Sequence, residues 1–203
     1  MRRNLILHVT LMAALGIAGC SAPKARIRGA DEESLVDDSR AGAVVYRNVI
    51  DQALKSLSDK YRASTAGKES FVRIKVAFMG IDNNTSEELG TWRQQINDIV
   101  NRAINESGDF TDISFERFIK PALKSAGVRK ESLALPAERR KLMAVLEQSG
   151  NPVDAFLFAS LTQGNSRSGS LQQADYLLTL ELMNSLDGTR IMAHGELSKE
   201  YSR

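Results

Sequence analysis

The 203 residues hold one cysteine, Cys20, and two histidines, His8 and His194. One thiol cannot close a disulfide within the chain, and a cysteine-based metal cluster has no ligands to draw on. Charge of one sign is also missing, since 27 basic residues face 25 acidic ones. Two of the basic residues are Arg2 and Arg3, so removal of the first nineteen positions leaves the signs equal. A near-neutral chain lacks the basic excess that displaces counterions from phosphates, which argues against nucleic acid as a partner. No apolar run reaches the roughly 20 residues that a spanning helix needs. What remains, with 42% hydrophobic, 26% charged and 6% aromatic residues, fits one ordinary water-soluble domain and excludes collagen-like, mucin-like or wholly disordered classes.

The amino-terminal segment has its own logic. Met1-Arg2-Arg3-Asn4 is positive, and Leu5 to Gly19 is apolar apart from His8 and Thr10. A positive start, a short apolar middle and small residues before a cut make a secretory signal over residues 1–19. Its end, Ile17-Ala18-Gly19-Cys20, resembles the bacterial lipobox, with Ile17 in place of the commoner leucine. That resemblance implies a diacylglycerol on the Cys20 thiol and an acyl chain, such as palmitate, on its freed amine. Each buried methylene contributes about 0.8 kcal/mol and one chain holds only marginally, so two or three chains make a stable anchor. An ordinary signal peptide would instead leave Cys20 a free thiol. Ser21, where some lipoproteins carry aspartate, resembles an outer-membrane address.

Residues 20–42 then read as a lipidated cysteine followed by a flexible tether. They are small, polar and charged, with no aromatic residue, and cannot bury enough apolar surface to offset ordering. From 43 to 64 the positions Val44, Val45, Val49, Ile50, Leu54, Leu57 and Tyr61 predict an amphipathic helix leading into a domain over 68–203.

Within that domain, Val72, Ile74, Val76 and Phe78 alternate with Arg73 and Lys75, as in a strand with one covered face, and Gly80 begins a turn. Thr85 and Glu88 have capping-box spacing ahead of the stripe Leu89, Trp92, Ile96, Ile99, Val100 and Ile104. A short strand follows at Phe110–Ile113, helical segments surround Pro121 and follow Pro136, and Val153 to Leu161 reads as a strand covered on both faces. Gln163 to Ser170 reads as a polar loop. Tyr176, Leu178, Leu180 and Leu182 alternate into the turn Leu186-Asp187-Gly188 and a last strand, a closing hairpin. The expected fold class is mixed α/β, with a central mixed sheet flanked by helices.

Catalytic chemistry finds little to use. Without His8 and with Cys20 acylated, His194 is the one imidazole left, in a strand and without an evident nucleophile. Asp82 to Glu87 alternates oxygen ligands, but Glu87 stands where a calcium loop needs glycine and Arg93 where it needs glutamate. Gly164 to Gly169 lacks the Gly-Lys-Ser/Thr ending of a phosphate loop. The run Glu138-Arg139-Arg140-Lys141 reads as a solvated helix face. No catalytic residue, cofactor or metal site is expected, and the residues describe a binding module rather than an enzyme.

The order of these pieces resembles the LpoB family. The carrying segments are the strand Val72 to Phe78 followed by Asn84-Thr85-Ser86-Glu87, then Ser107-Gly108-Asp109-Phe110, Asp154 to Phe158 and the hairpin at Asp187-Gly188. The pattern, shared in part with TolB amino-terminal domains, covers Lys68 to Tyr201. The resemblance implies an outer-membrane lipoprotein, on the periplasmic face, that binds and activates a class A penicillin-binding protein in peptidoglycan synthesis. CsgG-like secretion lipoproteins, which assemble as structural subunits, share much of the same pattern and give the alternative. The residues expected to meet a partner are Gly164, Asn165, Arg167 and Tyr176, because Arg and Tyr are frequent interface anchors.

Overall fold

In the computed structural model, the described residues are 43–66, 73–86, 89, 92–168 and 171–202. The signal segment, Cys20 and the tether lie outside them, as do Gly67, Lys68, Val72, Glu87 and Glu88.

Helix α1 spans Ala43–Thr65, and Tyr46, Val49, Ile50, Ala53, Leu54 and Leu57 form its buried stripe. The stripe joins the main core, so α1 is a wall of the domain rather than a lead into it. Strand β1, Ile74–Asn84, is followed by α2, Trp92–Glu106, and by the short β2, Phe110–Asp112. A π-helical turn at Phe115–Ile119 passes into α3, Lys120–Ala126, and a 3-10 turn at Lys130–Ala134 precedes α4, Pro136–Gln148. Three long strands close the fold: β3, Ala155–Ser168, β4, Leu171–Asn184, and β5, Arg190–Ser202.

The five strands form one sheet in the order β2-β1-β3-β4-β5. β1 runs parallel to β2 and β3, whereas β3, β4 and β5 are antiparallel. The fold is the mixed α/β class expected. From β1 the chain crosses to β2 on one side and then to β3 on the other. Right-handed crossovers in opposite directions place their helices on opposite faces of the sheet. Accordingly Ile96, Val100 and Ile104 of α2 share a core with α1, while Leu123, Leu142 and Leu146 of α3 and α4 form a second one.

That double cover corrects two local expectations. β1 is not half-buried: Val76, Ala77, Phe78 and Met79 are all buried, because the second helical layer lies over the face that carries Ala77 and Met79. Gly80 does not begin a turn either. Its φ of 82° sits where the β1–β3 register shifts between Phe78 and Ile81, and the strand continues to Asn84 through the bulge. The expected N-cap is also displaced. Helix α2 begins at Trp92, seven residues after Thr85, whose hydroxyl and N–H both donate to Asn83 Oδ1.

One ion pair ties α1 to Asp109, the residue that leads into β2. Asp109 is fully buried, and Arg62 donates through Nε and Nη2 to its Oδ1, each at 2.9 Å. Removing the cation leaves a desolvated carboxylate, a loss that reaches 3–5 kcal/mol for fully buried pairs. The Arg62 side chain is 56% exposed, so screening reduces the figure, and Arg62→Ala is expected to cost about 2 kcal/mol. Urea melts of the single variants and the Arg62→Ala/Asp109→Asn pair check this. Equal losses with and without the carboxylate would show that the pair contributes nothing.

Candidate functional site

The residues expected to meet a partner fall on β3 and β4, and the structure separates them. The register runs unbroken from Ala155↔Asn184 to Ser168↔Leu171 and pairs Gly164 with Asp175, Asn165 with Ala174 and Arg167 with Gln172. Residues 163 to 168 are therefore strand, where a loop was expected. Polar side chains suit this ribbon because Gly164, Asn165 and Ser166 are exposed. Gln163 donates to Asn165 Oδ1 at 3.1 Å, and the Arg167 side chain lies outside the described residues.

Tyr176 does not belong with them. It is 1% exposed and packs edge-on against Tyr46 of α1, with ring centroids 6.3 Å apart. Alternation along β4 puts it on the same face as Leu178, Leu180 and Leu182, all in the core beneath α1. It fixes the helix to the sheet and offers no surface to a partner. The signal was present in the sequence, since Tyr176 opens the alternating run.

The opposite face of β3–β5 is open and polar. Gln173 and Ser198 both donate to Asp175 Oδ1, at 2.7 and 2.5 Å, and these two bonds hold the Asp175 carboxyl below the usual carboxylate range. Farther along, Thr179 Oγ1 and His194 Nδ1 stand 3.0 Å apart, and Arg190 meets Glu181 at 3.0 Å. Met192, 47% exposed, joins Phe158 and Met183 in a groove of about 360 Å³ bordered by Ala134 and Glu131. The chemistry available is recognition by paired charges and hydroxyls around a small apolar floor. His194 is a strand residue with a hydroxyl neighbour across the ladder.

Other residues weighed in the sequence have local roles. Asp82 meets Lys130 at 2.6 Å, and Asn83 caps the bend at Thr85. Among the described residues no group of three or more His, Cys, Asp or Glu is placed to hold a metal ion. Nor is any helix among them long and apolar enough to cross a membrane.

One residue is placed against expectation. Arg139, read as part of a solvated charge run, is 3% exposed. Its guanidinium donates to the carbonyls of Ser185 at 3.1 Å, Leu133 at 3.2 Å and Leu186 at 3.5 Å, pinning the β4–β5 turn to α4.

No family model and no curated protein matches the chain. Solved structures that resemble it include the LpoB carboxy-terminal domain of Salmonella enterica, at 16% identity and a TM-score of 0.48, covering 75% of this chain and 97% of that one. The NMR structure of Escherichia coli LpoB covers 98% of this chain and 96% of its own at 13% identity, with a TM-score of 0.46. A Neisseria meningitidis lipoprotein aligns at 16% identity and a TM-score of 0.40, covering 64% and 83%. The family whose resemblance was read in the sequence recurs among these solved structures.

Proposed function

We propose that this chain is a periplasmic lipoprotein, held at the outer membrane through Cys20, that binds and activates a class A penicillin-binding protein. The observation that carries the reading is the coincidence, at one place, of a positive start, a short apolar stretch, small residues and the chain's sole cysteine. The segment-by-segment resemblance to LpoB-like proteins supplies the partner class. A domain whose exposed features are a polar ribbon and an open sheet face suits recognition. Activation then means binding the active conformation of the synthase more tightly than the inactive one.

The contact surface in this reading is the exposed ribbon at Gly164 and Asn165, continued by Arg167. A photo-crosslinker at position 165 of the full chain in intact cells is expected to yield an adduct with a penicillin-binding protein. Cys20→Ser is expected to move the chain out of the membrane fraction and to abolish that adduct. Adducts with copies of this chain alone would favour the CsgG-like assembly, and retention of Cys20→Ser in the membrane would end the lipid-anchor reading.

A further inference from the structure

Where the crossovers diverge from β1, the carboxyl ends of β1 and β2 are left uncovered, the usual position of ligand crevices in open α/β sheets. Here a cleft of about 740 Å³ opens between α2, the bulge in β1 and the end of β2, a size in the range of small-molecule sites. Asn97 and Asn101 stand one turn apart on α2 and line it together with Asp112 at the end of β2. Asn97 Oδ1, Asn101 Oδ1 and Asp112 Oδ1 are buried and accept no hydrogen bond. The three acceptors share one cleft, and the Phe78 backbone N–H acts on the Asp112 carboxyl but on neither amide oxygen. Buried polar atoms in folded proteins are nearly always paired with protein, ligand or ordered water, so a cluster of three marks a place where donors gather.

The surrounding charge selects which donor. The cleft's acids are Asp82, Asp98, Asp112 and Glu116, and its bases are Arg93 and Lys130. Asp82 is paired with Lys130 and Glu116 with Lys120. Asp98 and Asp112 then share the cleft with Arg93, whose Nη2 leans on the Ile81 carbonyl at 3.5 Å. The local balance favours a cation. A primary ammonium brings three N–H donors and one positive charge, matching two amide oxygens and one carboxylate. Among the described residues no three carboxylates converge here to hold a metal ion, so calcium serves as the competing cation in the test.

We propose that the cleft binds a small ligand through a primary ammonium group, with Asn97, Asn101 and Asp112 as its three acceptors. Burial already pushes the Asp112 carboxyl above its usual range, against the opposing effect of the Phe78 backbone N–H. An arriving ammonium offsets that burial.

The same burial fixes the sign of a control. A folded-state value above the unfolded one means that the native chain binds more protons between them, so stability falls as pH rises across that window. Above it the charged carboxyl opposes folding, and Asp112→Asn is expected to melt no lower than the parent chain at pH 7. Its advantage is lost as pH falls below the ordinary carboxylate range.

The test titrates the full chain with 1,5-diaminopentane and with L-lysine, reading the side-chain NH2 resonances of Asn97 and Asn101 by NMR. Tetramethylammonium, which has charge but no N–H, and calcium chloride serve as contrasts. Saturable shifts with both amines and none with tetramethylammonium are expected, weakened about tenfold or more in the folded Asp112→Asn variant. Three outcomes would overturn the proposal: equal binding by Asp112→Asn, a response to calcium but not to amines, or NH2 groups that already donate to Asp112 in the free protein.

Discussion

Gly195→Ala is expected to destabilise the chain by about 3 kcal/mol, which lowers the melting temperature by roughly 6–12 °C for a domain of this size. A Cβ at this position would collide with the Val49 carbonyl oxygen of α1 and stand 2.9 Å from the Ala53 nitrogen. Both are backbone atoms of a helix, so no side chain can rotate away. The helix cannot retreat as a unit, because Tyr46, Val49, Ile50, Ala53 and Leu57 are already buried in the core. Against this clash stands the usual gain from replacing glycine, about 0.4–1 kcal/mol from a less flexible unfolded chain. The clash wins on those magnitudes. Detachment of α1 would also break the bonds from Lys60 Nζ to the Met192 carbonyl and from the Glu196 N–H to Gln52 Oε1. Thermal melts give the size of the loss, and faster amide exchange confined to α1 and β5 gives its location. An unchanged melting temperature would mean that the helix has slack.

Arg139→Met is expected to cost about 3 kcal/mol. Methionine keeps most of the apolar stem and removes the guanidinium, so the variant sets two opposed effects against each other. Relief from burying a charge favours the variant. Loss of donors to the buried carbonyls of Ser185 and Leu133 opposes it, and each orphaned acceptor costs about 1–3 kcal/mol, while the half-buried Leu186 carbonyl can turn to water. Asp187 feels the Arg139 charge, but its acidity is raised first by the N–H and hydroxyl of Thr189 and only to a lesser degree by Arg139. Weak pairing of that kind leaves the carbonyl bonds as the main reason for the arginine, and their loss dominates. Arg139→Lys is expected to fall short of full rescue, since one ammonium cannot span the positions that the planar fork reaches. Chemical denaturation of the three proteins decides the matter; a methionine variant as stable as the parent would refute the donor argument.

How much of this was legible in the sequence depended on whether a residue's environment is set by its neighbours in the chain. The stripe of α1 and the alternation of β4 could be read directly, because one face of each element is covered and the other is not. β1 misled because its second cover comes from α3 and α4, residues 120–148, which no local pattern near Val76 announces. Gly80 has the same backbone freedom in a bulge as in a turn, so composition alone could not separate them. The ribbon at 163–168 reads as a loop because its residues are polar and small, and Gly164, Asn165 and Ser166 in succession are exposed. Arg139 was hidden inside a charge run; what buries it is a turn 46 residues away whose carbonyls need donors. The cleft depends on Asn97, Asn101 and Asp112, which come from two elements and follow no motif spacing.

The earliest described helix has its seat on the latest described strand, with partners 132 and 144 positions apart along the chain. At ribosomal speeds of about 5–20 residues per second, α1 waits roughly 7 to 29 seconds for β5 to be made. Until then its greasy stripe can meet α2 and β4 but lacks the strand that seats it, and the domain cannot finish packing. In the exported form proposed above, that delay would keep the nascent chain pliable while it is threaded across the membrane.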